Sequence, residues 1–382
     1  MNNTLSFKIY SATAQLPLNW DELAMNNVFL KTAYFKVIEN SIPENMELFY
    51  IGVFKSEELV GIAFSQFLDL NKLKSFGDRD KCFKTVIRNF IFKNFSSHVL
   101  FIGNNMLTGQ NAFSFSDSIC KEVAVHALKL ASEALKNSLK LKGKKVHITT
   151  FKDFYADEIE YFISSEFKNN LQFSTQPNMV LSINERWKTE LDYIEALSKK
   201  YRDQYKRARK KAIGLEKRKM HLEDIIKNED TIYDLYFHVA NNAPFNTFFL
   251  AKNHFSIFKE KMKDEFLFYG YFLDNQLIGF NTLIKNGDVM DTYFLGYDES
   301  IQREKMLYLN MLYDMIAYSI HKGFKKIVFA RTALEIKSSV GAKPIKMYGF
   351  MEHSNSLINK NLAFLFNYLE PEMEWNERNP FK

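Results

Sequence analysis

The sequence is poor in the residues that build disulfide frameworks and metal sites. Only two of its 382 residues are cysteine, Cys82 and Cys120, and none of the eight histidines has another four residues away. This pattern favours a reducing compartment, and we expect no metal cofactor. The sequence also lacks a Gly-x-Ser-x-Gly motif and any local signature of a nucleophilic cysteine, which argues against a covalent hydrolase.

Long apolar runs are missing as well. No stretch approaches 18 consecutive apolar residues, and the most apolar one, near residues 362–369, is too short to span a bilayer. The first residues have neither the basic region nor the apolar core of a signal peptide. We therefore expect a cytoplasmic protein, with peripheral contact with the inner face of a membrane left open.

Apolar residues are nevertheless abundant, at 46% of the chain with 37 phenylalanines, which is enough for two hydrophobic cores. Two segments also resemble each other at a constant offset of 218 residues: YIGVFKSEELVG at 50–61 and FYGYFLDNQLIG at 268–279. Each has the pattern of a β-hairpin with a two-residue polar turn.

The similarity continues downstream of both hairpins. In each half an amphipathic helical pattern is followed by a glycine, Gly143 or Gly323, and then by a strand pattern. We interpret this as a duplicated α/β unit, with an N-terminal unit over 1–180 and a C-terminal unit over 181–382. The alternative is two unrelated α/β domains that both contain ordinary hairpins.

Three stretches carry a resemblance to a known family. They are residues 19–34 (NWDELAMNNVFLKTAY), residues 193–211 with their run of basic side chains, and residues 323–350 with GAKP and YGF. Together with the order of elements, they resemble the FemAB-like branch of the GNAT acyltransferases. The resemblance implies two fused GNAT-like units, each a twisted, mixed, mostly antiparallel sheet flanked by helices. It also implies transfer of an acyl or aminoacyl group to an amine, with CoA, an acyl-carrier protein or aminoacyl-tRNA as the donor.

The candidate catalytic residues lie on a strand of the second half. In GNAT enzymes two neighbouring strands separate, and the donor's pantetheine pairs with the opened edge. The corresponding strand here contains Asp291, Tyr293 and Tyr297, which strand alternation predicts on one face. Asp291 would act as base or amine anchor, and a tyrosine would protonate the leaving thiolate. Alternatively, the tyrosines cap a core and Asp291 merely begins the strand.

Charged residues follow the next predicted strand and are candidates for substrate binding. They are Arg331, Glu335, Lys337 and Lys343. A charged cluster at a strand end beside a cleft often binds substrate. The same residues are equally compatible with a solvated loop.

For the donor's phosphates, a loop of the first half is the better candidate. It contributes Gly103, Asn104, Asn105, Thr108 and Gly109 ahead of a helix that we predict to start near residue 116. The equivalent loop of the second half, 298–305, has no glycine and carries two glutamates. Spaced glycines with Asn and Thr are also typical of ordinary turn-rich loops.

Positive charge is concentrated in one window of the sequence. Eleven basic and two acidic residues lie between Lys199 and Lys219, a local net charge of +9 in a chain of +6. We predict a basic amphipathic helix with an apolar stripe from Trp187 to Ala212. Its exposed Lys206, Arg207 and Lys210 would contact donor phosphates, an acidic carrier protein, tRNA or anionic lipid.

These features together favour an N-acyltransferase. It would transfer an acyl group from acyl-CoA or an acyl-carrier protein to an amine, a lipid-like amine included, by direct attack in a ternary complex. One alternative is an aminoacyl-tRNA-dependent transferase acting on a peptidoglycan precursor. Another is a non-catalytic tandem GNAT fold that binds nucleic acid or anionic membrane.

Overall fold

A computed structural model describes residues 5–73, 96–163, 165–174, 176–242, 246–369 and 375–382. The chain forms two compact units, each built from two segments of the sequence. The first unit contains Met1–Thr175 and Lys346–Met373, and the second contains Gln176–Ile345 and Glu374–Lys382. Cys82 lies outside the described residues, and Cys120 is an exposed free cysteine.

The first unit is built on a mixed sheet. Its strands are β1 (Leu5–Tyr10), β2 (Met46–Lys55), β3 (Glu58–Asp69), β4 (His98–Ile102), β5 (Phe113–Phe115), β6 (Ile148–Phe154), β7 (Leu171–Ser174) and β15 (Tyr348–His353). They are ordered β1-β2-β3-β4-β6-β15-β7, with β5 also paired to β3. All pairs are antiparallel except the parallel pair of β4 and β6.

The second unit repeats this arrangement. Its strands are β8 (Asn178–Ser182), β9 (Glu216–Lys219), β10 (Phe266–Leu273), β11 (Gln276–Asn286), β12 (Val289–Tyr297), β13 (Lys326–Ala330) and β14 (Lys343–Ile345). Their order is β9-β10-β11-β12-β13-β8-β14, and again only the fourth and fifth strands, β12 and β13, are parallel. The hairpins at 50–61 and 268–279 therefore occupy equivalent sheet positions, which confirms the predicted duplication.

Helices flank both sheets. In the first unit they are α1 (Trp20–Leu23), α2 (Thr32–Asn40), α3 (Lys121–Leu141), α12 (Ser356–Lys360) and α13 (Leu362–Leu369). In the second unit they are α4 (Glu190–Ala196), α5 (Lys199–Lys211), α6 (Leu222–Lys227), α7 (Glu229–Asn242), α8 (His254–Met262), α9 (Glu299–Lys305), α10 (Leu307–His321) and α11 (Leu334–Ser339). Among the helices of the described ranges, none combines the length and the apolar character needed to cross a membrane.

The local sequence explains these elements. The turn between β10 and β11 is Asp274-Asn275, and both residues have positive φ, as a two-residue hairpin turn requires. The long helices α3 and α10 are each followed by a glycine with positive φ, Gly143 at 77° and Gly323 at 75°. Both features follow the sequence-based predictions.

The predicted division at residue 180 differs from the structure in the C-terminal segment. Strand β15, from the end of the second half, lies between β6 and β7 in the first sheet. Reciprocally, β8 from the end of the first half lies between β13 and β14 in the second sheet. Each half thus contributes its last strand to the other unit. A strand pattern of five or six residues is compatible with either sheet, so the sequence does not reveal which sheet each strand joins.

The predicted basic helix is also divided. The apolar stripe from Trp187 to Ala212 does not form one helix, because α4 ends at Ala196 and α5 begins at Lys199. Leu197 and Ser198 between them have extended backbone, and Ser198 is the N-cap residue of the second helix. The apolar spacing continues across the break because both helices pack on the same core.

Candidate active site

Strands β12 and β13 of the second unit separate part-way along their length. They pair only through Val289–Asp291 on β12 and Lys326–Val328 on β13. Strand β12 then continues along β11 to Tyr297. Strand β13 instead ends at Ala330, and Ala330, Thr332 and Ala333 all have positive φ where the chain leaves it. From residue 292 onward, β13 therefore offers no partner to this edge of β12.

An irregularity in β12 divides its side chains between two faces. Thr292 pairs with Leu283 and Leu295 pairs with Asn281, so two residues of β12 lie opposite the single Thr282 of β11. Such a bulge shifts the alternation by one residue. The prediction that Asp291, Tyr293 and Tyr297 share a face is wrong for Tyr297, which packs with Tyr308 in the core beneath α10.

Asp291 is the most unusual charged group of the site. Its side chain is buried, with the residue 8% exposed, and it accepts a hydrogen bond from Asn286 Nδ2 at 3.1 Å. Burial raises the pKa of the Asp291 carboxyl to about 7, against a smaller lowering by the Asn286 hydrogen bond. No ion pair reaches this carboxylate from any described residue. Asp291 therefore exchanges a proton close to neutral pH, as a general base should.

Tyr293 lies two residues along, on the same face of β12. Its hydroxyl is 3.0 Å from Nε2 of His254, the first residue of α8, and its ring stacks on the His254 ring at 5.8 Å. Phe258 packs on Tyr293 from the next turn of α8. His254 is fully buried, so the hydrogen bond fixes the direction of the Tyr293 hydroxyl.

Aromatic side chains extend this face toward the end of β12. Phe294 contacts Tyr236 of α7 at 5.7 Å and Phe248 at 6.2 Å between ring centroids. The Tyr236 hydroxyl accepts a hydrogen bond from the amide of Leu250, which holds the segment after α7 in place. At Gly296 a Cβ atom would lie 2.6 Å from the α7 backbone, so only glycine permits this close approach.

Lys337 lies at the other side of the separation, on α11. The residue is 5% exposed, and its ammonium donates to the carbonyls of Ala330 and Arg331 in the turn that follows β13. Burial lowers the pKa of Lys337 to about 7, and no described carboxylate pairs with it. Lys337 thus stabilises a turn of positive φ where β13 leaves β12.

The other predicted substrate-binding residues have partners within the second unit. Arg331 Nε donates to the carbonyl of Gln176 at 3.0 Å. Glu335 binds Arg378 and the amide of Asn376, and Lys343 binds Glu377 at 3.0 Å. Glu335 and Lys343 therefore anchor the C-terminal segment of the chain.

Several polar groups of the predicted phosphate loop are bound by other residues of the first unit. The amide of Gly103 donates to the carbonyl of Phe64, and that of Asn105 to Gln66 Oε1. Asn104 is buried against Tyr34, and Lys152 binds the carbonyls of Asn104 and Leu107. Strand β5 follows the loop, and the next helix, predicted near residue 116, begins at Lys121. Thr108 and Gly109 belong to the same loop. The engaged amides of Gly103 and Asn105 give no support to a phosphate cradle.

The basic helix α5 has both inward and outward cations. Arg209 pairs with Glu190 at 2.7 Å and with Asp314 at 2.8 Å. Lys206, Arg207 and Lys210 are exposed, and none of them forms an ion pair with a described residue. Three neighbouring exposed cations on one helix are compatible with an anionic partner.

The fold is shared with solved structures. The chain is similar to one described as FemX, with a TM-score of 0.53 and 13% identity over 92% of this chain and 98% of that chain. It is also similar to a tandem GNAT protein from the clavulanic acid biosynthesis pathway, with a TM-score of 0.51 and 9% identity over 92% and 99% of the two chains. The chain has the tandem GNAT fold. No protein-family model matches the sequence, and no curated protein is detectably similar to it.

Within this GNAT-like acyltransferase fold, the separation of β12 and β13 is the feature that the resemblance associates with the acyl donor. Two contacts at this site were not predicted from the sequence: His254 with Tyr293, and Asn286 with Asp291. Asn286 precedes Gly287 in a hairpin turn, and His254 begins an amphipathic helix. Neither position reveals that its side chain meets Tyr293 or Asp291. Among the described residues, no group of His, Cys, Asp or Glu side chains is arranged to hold a metal ion.

Proposed function

We propose that the protein is an N-acyltransferase whose active site lies in the second unit, at the separation of β12 and β13. The observation that carries the proposal is the buried Asp291, whose pKa near 7 suits a general base. It lies at the last position of β12 that pairs with β13. The solved tandem GNAT protein is described as a structure without AcCoA, which associates that protein with acetyl-CoA. We extend this to acyl-CoA or an acyl-carrier protein thioester as the donor here.

The proposed reaction is a direct transfer. The neutral acceptor amine attacks the thioester carbonyl, a C–N bond forms, and Asp291 accepts the proton that the nitrogen loses. The C–S bond then breaks, and the departing sulfur takes a proton from Tyr293 or from water. Tyr293 is the better placed of the two predicted tyrosines because it shares the face of Asp291.

The aromatic residues near Tyr293 favour an acceptor amine that carries an apolar group. Phe294, Tyr236 and Phe248 line the same face of β12 as Tyr293. An aromatic wall stabilises apolar groups by burial, whereas a sugar-peptide acceptor would require polar partners. This favours a lipid-like amine over a peptidoglycan precursor.

The donor class can be tested directly. The protein would be incubated in parallel with radiolabelled acyl-CoA, acyl-carrier protein and aminoacyl-tRNA, each with and without a long-chain amine. We expect amine-dependent deacylation of a thioester. Deacylation of aminoacyl-tRNA alone would support the second candidate, for which the exposed cations of α5 are the favouring observation. Deacylation of none of the three would support a non-catalytic fold.

A further inference from the structure

A second charged region of the second unit lies away from the candidate active site. It is a concavity of about 550 Å³ at the edge of the sheet formed by β9, β10 and β11, beside the C-terminal end of α10. Its lining includes Lys219 of β9, Lys285 of β11 and Lys322 just after α10. We refer to these three residues as the lysine triad.

The triad carries more positive charge than its surroundings neutralise. Asp264 is the one carboxylate of the lining, and within the described residues no triad lysine forms an ion pair. The end of α10 adds the partial negative charge of a helix C-terminus, roughly half an elementary charge. The lining therefore combines three lysines with about one and a half negative charges, which leaves a net attraction for anions.

A fourth lysine, Lys259, lies close enough to the triad for its pKa to respond to the triad's positive charge. Lys259 is buried beside the concavity, where its ammonium donates to the carbonyls of Lys263 at 2.8 Å and Phe266 at 3.0 Å. Burial lowers the pKa of Lys259, and the nearby charges of Lys219 and Lys285 lower it further, whereas the charge of Asp264 raises it. Because the Lys259 ammonium already donates to two carbonyls, the positive charge that remains for an anion is that of the triad.

The triad is also separate from the donor region. Lys285 pairs with Met290, whose side chain packs in the core beneath α10, and the next residue, Asp291, faces the opposite side of the sheet. Helix α10 has 15 residues, so its two ends are roughly 22 Å apart at 1.5 Å per residue. The concavity lies at the C-terminal end of α10, whereas the end of β12 leads through α9 to its N-terminal end.

From this geometry we propose that the concavity is a binding site for a polyphosphate group carried by a small ligand, of the class of nucleoside di- and triphosphates. Lysines from three different parts of the chain line one concave space, which suits a compact polyanion. A lipid bilayer presents a flat surface instead. The half-buried Tyr318 and Phe324 in the lining provide apolar contact for the remainder of such a ligand.

The test uses inorganic pyrophosphate and ADP as probes of the full-length protein, followed by calorimetric titration at low ionic strength. We expect both to bind, and we expect a loss of at least tenfold in affinity when Lys219, Lys285 and Lys322 are all changed to Gln. The control is the charge-matched triple variant Lys199→Gln/Lys200→Gln/Lys211→Gln, which removes exposed cations of α5 and should bind both probes like the parent.

Three results would overturn the proposal: no binding of either probe, an equal loss in both triple variants, or binding confined to phosphatidylglycerol vesicles or RNA. Thermal melting of each variant would verify folding. If the triad variant is unstable, the single variant Lys322→Gln at the exposed end of α10 should still show a loss of several-fold. Acyl-CoA binding at the separation of β12 and β13 should be unchanged in the triad variant, which distinguishes the two sites.

Discussion

The two units share one strand order but differ at the same place, between the fourth and fifth positions of the sheet. In the first unit, residues 103–112 form a loop between β4 and β5, and the ammonium of Lys152 on β6 donates to two carbonyls of this loop. In the second unit, the single strand β12 covers the equivalent length, and its edge beyond Asp291 has no partner in β13. Duplication has therefore produced one closed and one open copy of the same gap.

Buried charge follows the same division. Lys152 in the closed unit pairs with Asp153 at 2.6 Å, so both charges are compensated. Asp291 and Lys337 in the open unit are each buried without an ionic partner among the described residues, and each has a pKa near 7. Uncompensated buried charge reduces stability, and proteins keep it mainly where it has a function. This contrast supports the proposed active site in the second unit.

The largest expected effect is the loss of turnover in Asp291→Asn. The amide keeps the shape and can still accept the hydrogen bond from Asn286, but it cannot take a proton. We expect kcat to fall by roughly 10²- to 10⁴-fold, measured as amine-dependent deacylation of the donor. Asp288→Asn is the matched control, since Asp288 is exposed in the preceding turn and pairs only with Lys325 in the described chain. Full activity of Asp291→Asn would remove Asp291 from the mechanism.

The next largest effect is expected in the free energy of unfolding, when variants of the two buried lysines are compared. Lys152→Met leaves the buried Asp153 carboxylate without this cation, which should cost roughly 3 to 5 kcal/mol in the free energy of unfolding. Lys337→Met removes a cation that has no carboxylate partner, so only its hydrogen bonds to two carbonyls are lost, at roughly 1 to 2 kcal/mol. Urea unfolding of both variants at pH 7 would measure the difference. Equal costs would contradict the proposed contrast between the units.

The pH dependence of the free energy of unfolding should reveal how much the burial of the Asp291 carboxylate destabilises the fold. Its folded-state pKa is raised from 3.8 to about 7, so the protonated form stabilises the fold at low pH, and this contribution is lost as pH rises through 7. Between pH 5 and pH 8, Asp291→Asn should therefore gain roughly 3 kcal/mol in free energy of unfolding relative to the parent, at about 1.4 kcal/mol per pH unit up to pH 7. A constant difference in urea midpoint across this range would show that the carboxyl is not perturbed.

The smallest effect on stability is expected on α5. Changing Lys206, Arg207 and Lys210 to Gln should alter the free energy of unfolding by less than about 0.5 kcal/mol, because all three side chains are exposed. Affinity for an anionic donor should fall, and its dependence on salt concentration should flatten. If the variant binds the donor like the parent at both low and high salt, this face of α5 is only scaffold.

The parts of the fold that the sequence predicts are those encoded locally. The hairpins at 50–61 and 268–279 follow from alternating apolar residues around polar turns, and Gly143 and Gly323 mark helix ends because they adopt positive φ. The bulge at residues 293–294 leaves no comparable mark, since it is visible only in how β12 pairs with β11 across the sheet. Alternation alone therefore gave Tyr297 the wrong face.

The site residues divide in the same way. Asp291 and Tyr293 could be selected from their spacing on one strand, and Lys337 from its position after another. Their partners, Asn286 and His254, depend on contacts that only the folded chain brings together. The pairing of Glu335 with Arg378 was equally invisible, because the two residues are 43 positions apart.

The exchange of final strands also sets an order of events during synthesis. Strand β6 ends at Phe154, but its neighbour β15 begins only at Tyr348, so the first sheet is incomplete until nearly the whole chain has been translated. At roughly 5 to 20 residues per second, the ribosome needs on the order of ten seconds or more to supply it. During that interval the edges of β6 and β7 are open to pairing with other chains, which makes the nascent protein prone to aggregation. A gene fragment that stops after residue 180 would keep this vulnerability permanently.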